Sequence, residues 1–133
     1  MCKIGDIIVV ESYQSHGSTM EHHSFIVLDD DNGIIRGLNY DMIAVVMSSF
    51  HNRRHKESKM RYPGNFPIAP DDQDIIGGNN GKFGYVKSEQ FYYFKKDKIK
   101  YRVIGYIEEN IFNLLIEFIE ELSIPIQPIV ENL

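Results

Sequence analysis

Only one segment of this chain has a helical period. From Glu108 to Leu122 the polar residues Asn113, Glu117, Glu120 and Glu121 recur at i, i+4, i+7 and i+8, and the rest is mostly apolar. Glu108 and Glu109 suit the positive end of a helix dipole, and Pro125 lies past the other end. Every other apolar run is too short for a helix, and no strand–helix–strand alternation is present. A chain of 133 residues built this way is expected to form one mainly β domain: a small, strongly bent antiparallel barrel with a C-terminal α-helix at about residues 108–122 and a short tail at 123–133.

Ile7 to Val10 and Phe25 to Leu28 are apolar, β-branched runs that read as buried strands. Glu11 to Ser24 between them reads as a rigidly mounted loop, and it holds three of the five histidines. Asn32-Gly33 predicts a tight hairpin, with GIIRGL as its returning strand. MIAVVM, Met42 to Met47, predicts a further strand ending at Ser48, Ser49 and Phe50, just before a charged loop. The three prolines and glycine of Tyr62 to Pro70 confine any strand there to a sheet edge. Asp71 to Gly84 reads as a turn-rich loop able to act as a lid. Tyr85 to Phe94 and Ile99 to Ile107 read as the last two strands, joined by a KKDK hairpin tip.

The composition, 43% hydrophobic and 25% charged, is that of an ordinary globular protein, and no apolar run could cross a bilayer. With no cleavable signal pattern and a lone cysteine, Cys2, a cytoplasmic protein is expected. The net charge of -5 conceals two basic clusters. Arg53, Arg54, Lys56, Lys59 and Arg61 face only Glu57, and Lys95, Lys96, Lys98, Lys100 and Arg102 face only Asp97. Such patches attract a phosphate backbone whatever the overall charge.

The ordered set of GDI at Gly5 to Ile7, HSFIVLDDD, AVVMSS, SEQFYYFKKDKI and the C-terminal helix resembles the PemK/MazF family of toxin endoribonucleases, over nearly the whole chain. The resemblance implies an SH3-like barrel, a homodimer, metal-independent cleavage of single-stranded RNA without a cofactor, and an antitoxin partner. The family's catalytic arginine falls on His23, with His22 beside it, and its catalytic Ser or Thr falls on Ser48. The proline that follows the arginine is Ser24 here, and a late-strand arginine falls on Tyr92. These departures leave a second reading open, a catalytically silent SH3-like module that binds an antitoxin-like peptide, nucleic acid or another protein.

Metal-free RNA cleavage needs a base for the ribose 2′-OH, an acid for the leaving 5′-oxygen and a positive group for the phosphorane. Histidine, titrating near neutrality, can serve in each role. His23 is the first candidate, with His22 or His16 as second participant, although alternation along an extended segment allows at most one of His22 and His23 into a given pocket. Ser48 is expected to donate to a phosphate oxygen. Ser49, Arg53, Arg54, Lys56 and Lys59 are expected to hold the RNA backbone, and Phe50, Phe66, Tyr92 or Tyr93 to stack a base. A zinc site at the histidines has no cysteine to support it, and DDDNG lacks the spacing of a calcium loop, so no metal is expected.

Overall fold

Strands whose two faces are both covered are apolar at consecutive positions, and that explains the short continuous runs. In a computed structural model, which describes residues 2–50, 52–68, 75–76 (backbone only) and 84–133, neighbouring residues of these runs part to opposite faces. Ile8, Val10, Phe25, Val27, Ala44 and Val46 enter one core, and Ile7, Ile26 and Val45 enter the other. The strands concerned are β1 (Asp6–Ser15), β2 (Ser18–Asp29) and β5 (Met42–Ser49). They pair antiparallel, with Ile7 opposite Ile26 and Ile26 opposite Val45.

Between β2 and β5 lies a small ribbon of β3 (Gly33–Ile35) and β4 (Leu38–Tyr40), which pair only with each other among the described residues. Its turn is Arg36-Gly37, with φ of 51° and 78°. Asn32-Gly33 is therefore not the hairpin turn, and the strand that returns along β2 is β5. After β5 come α1 (Arg53–Met60), β6 (Asn65–Ile68), β7 (Ile75–Ile76), β8 (Gly84–Lys87) and β9 (Gln90–Phe94). The chain ends with β10 (Tyr101–Ile107), α2 (Glu109–Glu120) and β11 (Gln127–Ile129).

The main sheet runs β11-β9-β5-β2-β1-β10-β7, with β8 paired to β5 and β6 paired to β8. Among the described residues these pairings do not close into a ring. β6, which contains Pro67, pairs only with β8 among the described residues, the edge position its proline requires. The segment from Tyr85 to Phe94 is broken by a turn at Ser88-Glu89 into β8 and β9. The KKDK segment is not a hairpin tip: β9 pairs with β5 and β11, whereas β10 pairs with β1 and β7. Lys96–Lys98 forms a single 3-10 turn in a connection that carries the chain from one side of the sheet to the other. Apart from Ile75, Ile76 and Gly84, the expected 71–84 loop lies outside the described residues.

α2 covers the second core with Leu115, which is fully buried, and with Ile111, Phe112 and Ile119 packed around it. Glu108 caps the helix, its side chain accepting from the Ile111 amide at 3.1 Å. The first core is aromatic: Tyr13, Phe25, Tyr92 and Phe94 meet edge-to-face or stacked, with centroids 4.9 to 6.4 Å apart. The tail adds β11 in parallel to β9 and buries Ile129. No helix among the described residues is long and apolar enough to cross a membrane.

Candidate active site at the fork between β2 and β5

Glu11 to Ser24 is not a loop. It is the far half of the β1–β2 hairpin, which runs to a two-residue turn at His16-Gly17 with φ of 52° and 80°. The three histidines are thereby separated into two places. His16 is at the tip, and His22 and His23 lie about midway along the hairpin, just short of where β2 begins to pair with β5.

At that point the sheet forks. β2 and β5 remain paired as far as Phe25 opposite Val46, and from Met47 onward β5 takes β8 on its other edge, with Ser48 opposite Tyr85. Extending the β2–β5 register by two residues brings His23 level with Ser48. The parted strands enclose a cleft of about 440 Å³, lined by His22, His23 and Ser24 from β2, Met47, Ser48 and Ser49 from β5, and Tyr85 from β8. α1 completes it with His55 and Lys59.

Strand alternation allowed one of the two adjacent histidines into this space, yet both line it. The ladder passes from Val10 opposite His23 to Ser12 opposite Glu21, and His22 between them has φ of 53°. A left-handed residue inside a strand breaks the period of two and turns its side chain toward its neighbour's side. For a residue with a Cβ that conformation costs about 1 kcal/mol or more.

His23 is half-buried, its ring edge-on to Tyr13 at 5.8 Å, and its Nδ1 is buried without a hydrogen-bond partner among the described residues. Burial, and secondarily the positive charge of Lys87, pushes its pKa below the ordinary 6.5. The imidazole is therefore neutral at pH 7, the form that accepts a proton.

The basic segment is a helix rather than a loop. Asn52 caps it, accepting from the His55 amide at 2.8 Å, and Arg53 pairs with Glu57 one turn on at 3.4 Å. Asn65 secures the other end by donating from Nδ2 to the Lys59 carbonyl at 2.8 Å. One helical turn separates His55 from Lys59, so both reach the cleft. Arg53, Arg54 and Lys56 are exposed and do not line it; the Arg53 side chain is 93% exposed. Of the aromatic candidates only Phe50 approaches the site, stacked on Tyr85 at 5.1 Å with Lys56 Nζ 5.8 Å from its ring centre. Phe66 packs on Phe118, Tyr93 on Tyr40, and Tyr92 is buried with its hydroxyl 2.7 Å from Ser15 Oγ.

His16 lies apart from the cleft. Its backbone amide donates to Glu131 Oε1 at 2.7 Å, and its ring nitrogens lie 2.9 Å from Ser15 Oγ and 3.3 Å from Gln127 Nε2. His55 and Tyr85 are the residues that sequence reasoning passed over, and the Asn52 cap with the i, i+4 spacing of His55 and Lys59 was the signal available for His55. The carboxylates of Asp29, Asp30 and Asp31 approach within 4.8 Å of one another at the other end of β2, a grouping common on acidic surfaces. No family model, curated protein or solved structure matches the chain.

Proposed function

We propose that the protein is an endoribonuclease of the PemK/MazF type, cleaving single-stranded RNA without a metal ion as the toxin of a toxin–antitoxin pair. The observation that carries the reading is the meeting of His22, His23, Ser48 and Lys59 in one cleft. Neutral His23 takes the proton of a ribose 2′-OH, whose oxygen bonds to the adjacent phosphorus. The bond from phosphorus to the 5′-oxygen breaks, and that oxygen takes a proton from protonated His22 or His55. The products are a 2′,3′-cyclic phosphate and a free 5′-hydroxyl. Lys59 and the Ser48 hydroxyl offset the phosphorane charge, and Ser49 holds the backbone beside them. Arg53, Arg54 and Lys56 on the outer face of α1 guide flanking phosphates.

On the same reading the bent sheet is an SH3-like barrel and the active species is a cytoplasmic homodimer. The exposed apolar residues Val103 and Tyr106 on β10 and Leu114 on α2 favour a self-association surface. Purified protein incubated with a long single-stranded RNA in EDTA tests the activity. Cleavage is expected, and His23→Ala is expected to slow it by about 10²- to 10⁴-fold. RNA binding without cleavage at any pH from 5 to 8 would instead establish the silent binding module.

A further inference from the structure

A second cleft opens beside the first. It encloses about 300 Å³, and its lining includes Lys59, Tyr62, Asn65, Tyr85, Lys87 and Glu89. Lys59 and Tyr85 line both spaces, so the two are contiguous.

Glu89 is the anomaly here. Its side chain stands in the tight turn between β8 and β9 and is only 4% exposed, and Oε2 is buried with no hydrogen-bond partner among the described residues. The turn is held from both sides: the Ser88 amide donates to the Gly64 carbonyl at 2.9 Å, and the Glu89 carbonyl accepts from the Gln127 amide at 2.7 Å. The carboxylate occupies the space above Gly64, where any side chain would collide with it. An acceptor kept from water and from protein donors is destabilising, and an absent ligand's donors are one explanation for its retention. Tyr62, 46% exposed beside it, offers an aromatic face of the kind on which unpaired bases stack.

We infer that the second cleft reads a guanine base next to the cleaved phosphate, Glu89 accepting from both N1–H and the N2 amine. The inference rests on the ribonuclease reading of the neighbouring cleft. Guanine alone among the four RNA bases presents two adjacent donors on its Watson–Crick edge. Adenine, cytosine and uracil each place an acceptor beside a donor, and that acceptor meets the carboxylate unfavourably. Lys87 supplies a donor for guanine O6. A buried site built to receive donors rejects a base that lacks them, because its own acceptor is then left unpaired.

Fluorescence anisotropy with short 2′-O-methyl oligouridines, which cannot be cleaved, tests the pocket without relying on catalysis. The central residue is guanosine, inosine, adenosine or uridine. Guanosine is expected to bind at least about tenfold tighter than adenosine, with inosine, which lacks the N2 amine, in between. Glu89→Gln is expected to bring guanosine within about threefold of adenosine. The inosine comparison uses wild-type protein, so it decides the matter even if the variant does not fold. Equal binding of guanosine and adenosine, or of guanosine and inosine, overturns the guanine pocket alone. Failure to bind any of the four overturns it together with the ribonuclease reading.

Discussion

The tip and the middle of the β1–β2 hairpin carry the same side chain into different surroundings. At the tip, the backbone around His16 is tied down by the C-terminal segment. The Glu131 carboxylate accepts from the His16 and Gly17 amides at 2.7 and 2.9 Å, and Asn132 exchanges hydrogen bonds with the Gln14 backbone at 2.6 and 3.0 Å. At the middle, His23 has a buried nitrogen with no partner among the described residues and faces a cleft with a second histidine, a serine and a lysine. What distinguishes a structural histidine from a candidate catalytic one here is the set of groups around it, since the residue type is the same. One is held by hydrogen bonds from its own chain, and the other has a buried nitrogen with no partner among the described residues.

The sharpest way to break that comparison is to cut the tip's tie. Glu131→Ala removes two charge-assisted hydrogen bonds and is expected to lower stability by about 1–3 kcal/mol, measured by urea unfolding, with RNA cleavage per folded molecule unchanged. Lost cleavage in a fully folded variant would show that the tip shapes the site. A smaller effect of opposite sign is expected at the fork. His22→Gly relieves the left-handed backbone and is expected to raise stability by about 1 kcal/mol or less, and an equal loss would show that the His22 side chain stabilises the fold.

The smallest effect is in the pH dependence. Because the folded-state pKa of His23 is depressed, the unfolded chain binds its proton first as pH falls. Its contribution is fully present above about pH 6.5 and is lost as pH falls from there through the folded pKa. Stability below pH 6.5 should therefore decline less steeply in His23→Gln than in wild type, and matching slopes would mean that His23 is not desolvated.

The parts of the fold that the residues announce are those where a buried pattern is complete. The runs at Ile7, Phe25 and Met42 are apolar at successive positions because both faces of the sheet are covered, and α2 has an unbroken apolar face. The outer half of the β1–β2 hairpin gave no such signal. Its inward positions include Tyr13 and the buried Ser15 among polar neighbours, and a strand whose buried residues are polar-tipped looks like a loop. α1 is polar all round with no buried residue, so only its cap and its ion pair mark it as a helix. The tail's role depends on contacts with residues more than a hundred positions away, which no local pattern encodes.

At the candidate site, His22, His23, Ser48, Ser49 and Lys59 were readable and do converge. His16 lies apart from the others because it sits in the turn at the tip of the hairpin, away from the cleft. Arg53, Arg54 and Lys56 lie outside the cleft because the helix turns them to solvent. The positive φ of His22, which brings two adjacent side chains into one space, has no sequence signature.

The most direct test sets the two histidines against each other: initial cleavage rates of one single-stranded RNA in EDTA at pH 7 for wild type, His16→Asn and His23→Asn. A rate within about twofold of wild type is expected for His16→Asn and a loss of at least about 10²-fold for His23→Asn, with both variants folded. A comparable loss in both, or none in His23→Asn, would contradict that expectation.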